Sequence, residues 1–336
     1  MKRPHPLPLP FDIIHRRIYT SNRCFYCGKR LRSERSREHV FPEWLQTKFG
    51  LAYQSLTLLN GTTIPYRNLK VPCCKTCNNV HLSQLENRVK TLLFERPIKD
   101  VSKNLDQVFI WATKILLAIV YAERLLPLSR RYPKGRRILP RELWDSFQMT
   151  HLFIQSLIIP MRFTCEDNHE RIPGSIFIFD LKTHDEPGDG VYDFRDDLLT
   201  LSVFMRMGNR GIIAVADGGA LDIEIGDVVR RDVKRKLHPI QFYEIGARIF
   251  YKARLFNRTP KYIMTKHNED FNVMQMPLAG LSARPVFDEW KHPAYAEMLA
   301  TFTGYPIETL APGDRTKVMQ WLTDENGEPL DLPMKA

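Results

Sequence analysis

Four cysteines near the start of the chain form two Cys-X-X-Cys pairs, Cys24/Cys27 and Cys74/Cys77. Two pairs of this kind can place four thiolates around one tetrahedral zinc ion. The first residues contain no long apolar segment of the type a secretion signal needs, so we expect a reducing compartment in which paired cysteines bind metal rather than form disulfides. The sequence therefore predicts a structural Zn²⁺ site formed by these four thiols.

The sequence leaves two candidates for the third ligand of this site, because Cys73 directly precedes Cys74. Cys74 is favoured by spacing alone, since Cys73 would pair with Thr76 rather than with a cysteine. A zinc ion enclosed by four cysteines has no position left for a substrate or a water molecule. We therefore expect the zinc to hold a small module together, and any chemistry needs a separate centre.

Glu38 and His39 lie between the two pairs, and Asn78 directly follows Cys77. An imidazole is suited to act as a general base near neutral pH, and carboxylate and amide oxygens are ligands that Mg²⁺ or Mn²⁺ accepts. Adjacent residues of a strand point to opposite faces, so Glu38 and His39 can share one site only where the strand ends or bends. Pro42 favours such an end, because proline cannot donate to a strand ladder.

The positive charge of the chain is concentrated in its first hundred residues. These carry 18 Lys and Arg and 7 Asp and Glu, whereas residues 101–336 carry 31 of each, so the whole formal charge of +11 belongs to the segment with the cysteine pairs. A basic module predicts a nucleic-acid partner, because cations that neutralise phosphates release counterions. The residues expected to contact phosphates are Arg30, Arg32, Arg35 and Arg37. The alternative is a solvated strand edge protected by its charge.

Hydrophobic periodicity and turn residues predict an α+β fold. Helices are expected from Asn78 onward and over 104–127, whereas SIFIFDL, LLTLSVFMRM and GIIAVAD have the composition of strands.

The longest apolar stretch, at 115–122, is too short to span a bilayer, which predicts a cytoplasmic protein with no membrane partner. The expected regions are an N-terminal arm at 1–20, a zinc module at 21–100, a helical linker region at 101–144 and an α+β domain of unknown role at 145–336.

The order of the motifs resembles that of the HNH endonuclease family, whose core is a ββα-metal fold. Its zinc-bound members have CxxC, an acidic residue and His shortly before a Pro, Asn-Leu, and a second CxxC followed by His or Asn. This chain has CFYC, EHVFP, Asn68-Leu69 and CKTCN in that order within residues 21–92. The resemblance implies a metal-dependent endonuclease that hydrolyses phosphodiester bonds in double-stranded DNA. It also implies a bacterial or phage origin and a role in restriction or anti-phage defence, and cutting of both strands would favour a homodimer.

The resemblance assigns roles to four residues. His39 would be the general base, and Asn68 would hold the loop that orients it. Glu38 would replace the family's metal-binding Asp, and Asn78 would be the second ligand of a catalytic Mg²⁺ or Mn²⁺. Glu38 is one methylene longer than Asp, and Asn68 lies six residues before Cys74, where five is usual.

A narrower likeness reaches to about residue 125. Many bacterial proteins carry EHV-x-P-x-WL, CNN-x-x-x-S-x-LE and Trp-Ala-x-Lys, and this chain has EHVFPEWL, CNNVHLSQLE and WATK at 111–114. The likeness makes Glu86 a candidate for the site, while Asn79 and His81 are close enough in sequence to compete as ligands. Two other functions stay open, namely a zinc-stapled nucleic-acid-binding protein without catalysis and an RNA-cleaving enzyme of the same fold.

Overall fold

The computed structural model describes residues 22–31, 35–124, 126–139, 147–165, 169–183, 190–267, 270–280 and 283–334. The predicted N-terminal arm at 1–20 lies outside these residues. Within the described residues, helices occur together with four small sheets, which confirms the α+β prediction.

The chain divides into two compact units. The first comprises the described parts of Met1–Pro97, Asn104–Pro173 and Lys261–Met276, and the second those of Ile98–Lys103, Gly174–Pro260 and Pro277–Ala336. The domain boundaries expected from the sequence stay predictions. The cysteine pairs and all the candidate site residues belong to the first unit.

A two-stranded antiparallel sheet lies at the centre of the cysteine region. Its strands are β1, Arg35–His39, and β4, Lys70–Cys74. A short hairpin of β2, Ser55–Thr57, and β3, Thr63–Pro65, lies in the connection between them. β1 therefore pairs with a strand further along the chain and not with a neighbouring segment. The reason is physical, because β4 carries buried side chains and supplies an apolar face that the basic segment around β1 lacks.

Short helical segments surround this sheet. β1 ends before Pro42, and α1, Glu43–Lys48, begins directly after it. Turns of 3₁₀ helix at Leu51–Tyr53 and Tyr66–Asn68 flank the β2–β3 hairpin. The helix predicted from Asn78 is present: it opens as a π-helical turn, Cys77–Leu82, and continues as α2, Ser83–Glu95.

A long apolar helix forms the core of the first unit. This helix, α4, spans Leu105–Glu123. The short helix before it in the chain, α3, Ile98–Val101, belongs to the second unit. By length and composition α4 is the one described helix that could cross a membrane, but 78% of its apolar window is buried inside the protein, as in the core helix of a folded domain. The unit is completed by α5, Gln148–Gln155, and a three-stranded sheet. The strands of that sheet are β5, Met161–Thr164, β10, Tyr262–His267, and β11, Asp270–Gln275.

The second unit is built on a four-stranded antiparallel sheet of order β6-β9-β8-β7. Its strands are β6, Ser175–Asp180, β7, Tyr192–Asp197, β8, Ser202–Met207, and β9, Arg210–Val215. Its longer helices are α6, Ala220–Val233, α7, Pro239–Leu255, and α8, His292–Thr303, and a short α9 spans Ile307–Leu310. Phe204 of β8 stacks on Phe242 of α7 with ring centroids 4.4 Å apart. Gly246 permits this packing, because a Cβ there would lie 2.6 Å from the Phe204 ring.

Candidate functional site

The four cysteines of the two Cys-X-X-Cys pairs come together as the sequence predicts. The Sγ atoms of Cys24, Cys27, Cys74 and Cys77 all lie within 4.8 Å of one another, and those of Cys27 and Cys74 are 3.8 Å apart. Zinc–sulfur bonds of about 2.3 Å in a tetrahedron give sulfur–sulfur distances of about 3.8 Å. Buried thiols at this separation fit a structural metal ion of the size and softness of zinc.

Each pair is positioned by local backbone geometry. Residues Arg23 and Arg30 form a bridge that closes the first pair into a tight turn, in which Gly28 has φ of 70° and donates its N–H to the carbonyl of Cys24. Only glycine adopts this left-handed conformation without strain. The second pair spans the end of β4 and the start of the π-helical turn, where the N–H of Cys77 points at Sγ of Cys74 at 3.5 Å.

Cys73 is a fifth buried thiol beside the cluster. Its Sγ lies 3.7 Å from Sγ of Cys24. The set of four mutually close thiols nevertheless contains Cys74 and not Cys73. The structure therefore favours the Cys-X-X-Cys register, and with it the position of Asn78 directly after the last ligand.

The first cysteine turn is also held by α5, which the sequence did not link to it. Tyr26 donates its hydroxyl to the carbonyl of Ile154 at 2.8 Å, and the Gln155 amide donates to the carbonyl of Tyr26 at 3.1 Å. Nε2 of His151 lies 2.9 Å from the carbonyl of Phe25. No motif marks these contacts, since they join residues more than 120 positions apart.

Glu38 takes part in a buried charge cluster with Lys114 and Glu86. Nζ of Lys114 donates to Oε1 of Glu38 at 2.5 Å and to Oε1 of Glu86 at 2.8 Å, and the Lys114 side chain is 0% exposed. Burial alone would lower the pKa of Lys114, but the two carboxylates outweigh it and raise that pKa. Burial raises the pKa of Glu86, which the attraction of Lys114 counteracts and the repulsion of Glu38 reinforces.

His39, at the last position of β1, has a different environment. Its side chain is 18% exposed, and Nδ1 lies 3.3 Å from Oε1 of Glu43 in the first turn of α1. Burial, and then the charge of Lys70 opposite it in the strand register, lower the pKa of His39. The imidazole is therefore neutral near pH 7, and a proton on Nδ1 directed at Glu43 leaves Nε2 as the atom that can accept a proton.

The strand register separates Glu38 from His39. Glu38 pairs with Val71 and His39 pairs with Lys70, so the two side chains leave opposite faces of the sheet. β1 ends at His39 and the chain bends at the next two residues, and a site shared by Glu38 and His39 stays a prediction. Lys114 reaches both residues, since its Nζ lies 3.4 Å from the His39 carbonyl oxygen.

Asn78 and Asn68 are placed beside β1 by different elements. Nδ2 of Asn78 donates to Oγ of Ser36 at 2.6 Å and to the carbonyl of Arg37 at 3.3 Å, which leaves its Oδ1 as the atom suited to a cation. Asn68 is exposed at the end of its 3₁₀ turn. The carbonyl of the next residue, Leu69, accepts the N–H of Val40 at 3.0 Å, so this turn contacts the segment that follows His39.

No protein-family model, curated protein or solved structure matches this chain. Its site therefore has to be judged on its own geometry. Among the residues that the structure describes, the four cysteines are the one group of three or more His, Cys, Asp or Glu side chains arranged to hold a metal ion.

A second, hard cation on Glu38 and Asn78 fits the donor chemistry of those residues, a carboxylate and an amide oxygen. The ammonium of Lys114 at 2.5 Å competes for the same carboxylate. The competing residues are less suited, since Asn79 is exposed and His81 is a half-buried imidazole whose pKa is lowered by burial.

The predicted phosphate contacts are only partly visible. Arg30 and Arg37 are exposed, and Arg37 lies on the same face of β1 as His39. Arg32 lies outside the described residues. The backbone of Arg35 begins β1, and its side chain lies outside the described part of the structure.

Two residues of the site were not assigned a role from the sequence. Lys114 was visible as the last residue of WATK, but nothing local indicated that it would reach Glu38 across 76 positions. Glu43 stands four residues after His39, a spacing that suggests contact only within a helix, and here a strand end and Pro42 intervene.

Proposed function

We propose that this chain is a metal-dependent endonuclease of the HNH type that hydrolyses phosphodiester bonds in DNA. The observation that carries the proposal is the ββα arrangement around the cysteine cluster. β1 ends at His39, β4 pairs with β1, and the helix that follows carries Asn78, which bonds back to β1. A four-thiol site stabilises this small module from outside the reaction, because such a site has no open position.

In this proposal each side chain has a stated part in the reaction. His39 removes a proton from the attacking water through Nε2, while Glu43 holds Nδ1 and so fixes the tautomer and the ring. Glu38 and Asn78 would hold a divalent cation, Mg²⁺ or Mn²⁺, which supplies a Lewis acid for the phosphate. Asn68 would support the loop beside the base, and the exposed Arg30 and Arg37 would contact phosphates.

The proposal extends to partner, assembly and location. One centre of this kind cuts one strand, so a single chain is expected to nick duplex DNA, and cutting of both strands would require two chains. The thiols of a zinc site need a reducing compartment, which favours a cytoplasmic location in a bacterium or phage host. A role in restriction or anti-phage defence belongs to the same proposal.

A cleavage assay with His39→Ala tests the catalytic role. Wild-type protein is expected to cut supercoiled plasmid with Mg²⁺ or Mn²⁺, and His39→Ala to cut it about 10²–10⁴-fold more slowly, the range typical of a lost general base. Zinc content and circular dichroism should stay unchanged. The matched control is His292→Ala, which removes an exposed histidine from the second unit and should cut like wild type.

Assays on several substrates distinguish DNA cleavage, RNA cleavage and binding without catalysis. Linear duplex, single-stranded DNA and RNA are assayed beside the plasmid, and preferential cutting of RNA would replace DNA as the substrate. Nucleic-acid binding without cutting of any substrate, whichever divalent cation is present, would reject the proposal that the protein is an enzyme.

A second candidate is a zinc-stapled nucleic-acid-binding protein without catalysis. The Lys114–Glu38 ion pair favours it, because an ammonium already neutralises the carboxylate that the catalytic cation would use. In this case His39→Ala and Asn78→Ala should bind nucleic acid with wild-type affinity, and no preparation should cut.

A further inference from the structure

A strongly basic surface loop at residues 128–137 stands apart from the residues discussed above. Five of the eight residues from 130 to 137 are Lys or Arg, and residues 126–139 contain no Asp or Glu. Every residue from 128 to 137 is exposed. The loop carries two large exposed apolar side chains, with Tyr132 70% exposed and Leu128 58% exposed. We call residues 128–137 the basic loop.

The basic loop has a defined backbone conformation. Its two limbs are joined by the N–H of Leu128 donating to the carbonyl of Arg136 at 2.8 Å and by a bridge between Pro127 and Arg137. Its tip is closed by the N–H of Gly135 donating to the carbonyl of Tyr132 at 2.8 Å. Cations on a closed hairpin lose less conformational entropy on binding than cations on a free segment.

The β2–β3 hairpin supports the basic loop. The guanidinium of Arg130 donates to the carbonyl of Gly61 at 3.2 Å, and the Asn60 amide donates to the carbonyl of Pro127 at 3.2 Å. The other end of this hairpin leads into the 3₁₀ turn Tyr66–Asn68, which contacts the segment after His39. Gly61 and Leu69 are eight residues apart, and eight residues of extended chain span at most about 26 Å, so the hairpin links the basic loop to the segment after His39 over less than one turn of a DNA duplex, about 34 Å.

The 3₁₀ turns that flank the same hairpin present an exposed aromatic side chain beside a cation. Tyr53 is 81% exposed, and the guanidinium of Arg67 lies 4.4 Å from its ring centroid. Exposed tyrosines flanked by arginines are suited to sugars, bases and phosphates, and less suited to a protein core. Cation and aromatic side chains therefore occur at both ends of one small hairpin.

We propose that the basic loop is a second contact surface for the phosphodiester backbone of DNA, on the same unit as the His39 site. This inference depends on the proposed function in one respect, namely that the DNA strand bound by the basic loop is the strand that His39 cleaves. Its cations neutralise phosphates of the same duplex and hold the strand in register, and Tyr132 lies against a sugar or an unstacked base. An anionic lipid surface is the competing partner, and the absence of an amphipathic helix from the described loop argues against it.

The test compares two triple variants of equal charge change. Arg131→Gln, Lys134→Gln and Arg136→Gln remove loop cations, while Arg130 is kept because it anchors the loop. The control removes three exposed lysines elsewhere, through Lys261→Gln, Lys291→Gln and Lys317→Gln. Both are made in full-length protein carrying His39→Ala, so that cleavage does not disturb binding, and thermal unfolding and zinc content verify the fold.

Dissociation constants for duplex and single-stranded DNA are measured against salt concentration, without divalent cation. The loop variant is expected to bind about 10-fold or more weakly at 0.1 M salt, and the slope of log K against log salt to fall in magnitude by about 3 for duplex DNA. The control should change the slope by less than about 1. A larger loss for single strands than for duplex would identify the single strand as the bound form.

Two results would overturn the inference. One is an unchanged slope in the loop variant, or an equal change in the control. The other is selective loss of binding to vesicles of phosphatidylserine and phosphatidylcholine while DNA binding persists. A reduced slope in the loop variant, together with a wild-type protein that never cuts, would reject the nuclease proposal and keep the basic loop. Cutting by the wild-type protein, together with an unchanged slope in the loop variant, would reject the basic loop alone.

Discussion

At the scale of single residues, the buried ammonium of Lys114 is the feature on which the stability of the candidate site depends. It lies between Glu38, 5% exposed, and Glu86, and contacts both carboxylates. Removing charged groups from water is costly, and the cost is offset here only because the ammonium and the carboxylates compensate one another. An apolar residue in place of the lysine leaves two buried negative charges without a partner.

Lys114→Met should therefore destabilise the protein by about 3–5 kcal/mol, the range for breaking a buried ion pair. Lys90→Met, which removes an exposed lysine from α2, should change stability by no more than about 0.5 kcal/mol. Urea denaturation followed by tryptophan fluorescence measures both.

Neutralising the carboxylates as well separates charge from packing. If Lys114→Met is destabilising because of uncompensated charge, adding Glu38→Gln and Glu86→Gln should recover part of the loss. No difference between Lys114→Met and Lys90→Met would mean that the cluster contributes nothing to stability.

At the scale of elements, the four-cysteine cluster joins the first cysteine turn, β4 and the π-helical turn, which a metal ion on its thiols would tie together. A module of ~70 residues has a small core, so the free energy of metal binding contributes directly to its folding. The five clustered thiols allow a matched comparison, because Cys73 and Cys74 are adjacent, buried and both close to other thiols.

Cys74→Ser should lose the zinc ion to a competing chelator under conditions in which wild type and Cys73→Ser each retain about one per chain. The reason is that Cys74 belongs to the group of four mutually close sulfurs and Cys73 does not. Native mass spectrometry measures the stoichiometry. Retention by Cys74→Ser together with loss by Cys73→Ser would reverse the assignment of the ligand.

The sequence predicts local elements of this module well, because spacing and periodicity are local properties. The cysteine pairs and the helix after Cys77 follow from them. One detail of that helix departs from a regular apolar face: Val80 is 43% exposed, whereas Leu82, Leu85 and Val89 are buried. The π-helical turn explains this, since an i→i+5 turn shifts the following residues relative to an α-helical pattern.

Contacts between distant segments could not be predicted in the same way. The pairing of β1 with β4, the reach of Lys114 to Glu38 and the bonds from α5 to the first cysteine turn all depend on the packed core. The WATK motif at 111–114 contains the lysine that makes such a contact, but the motif does not indicate where its side chain points. A motif of this kind predicts which side chains matter, and the buried surface of α4 decides where they point.

At the scale of the whole molecule, charge counts over long segments conceal the basic loop. Residues 101–336 carry equal numbers of acidic and basic side chains, yet the basic loop within them contains five cations and no acidic residue. The acidic residues that cancel these charges lie elsewhere along the chain. Exposure and backbone order, which composition does not report, are what distinguish the basic loop from an ordinary charged segment.

The pH dependence of unfolding is also a property of the whole molecule, because it sums the differences in proton binding between the folded and unfolded states. Asp217, 2% exposed in the second unit, is a strong contributor. Burial raises its pKa to about 6 from 3.8, against the hydrogen bonds that Leu221 N–H, Gly219 N–H and the Ser175 hydroxyl donate to its carboxylate. The folded state therefore binds this proton more tightly than the unfolded state.

Between pH 4 and pH 6 the unfolded Asp217 is ionised while the folded one still holds its proton, so its contribution to stability falls as the pH rises through this window. The shift corresponds to about 3 kcal/mol. Asp217→Asn should lack this fall, and the difference between wild-type and variant curves should change by about that amount across the window. Asp106→Asn, at an exposed position in the first unit, should leave the shape of the curve unchanged.

Amide hydrogen exchange in β6 and β9 measures the stability of the second unit at each pH. The difference between the two curves cancels every other titrating group, including the thiols of the zinc site, because these are common to both proteins. Parallel curves for wild type and Asp217→Asn would mean that the carboxyl ionises at its ordinary pKa in the folded protein. Asp217 would then be an ionised carboxylate across the whole range, and the hydrogen bonds to it would outweigh its burial.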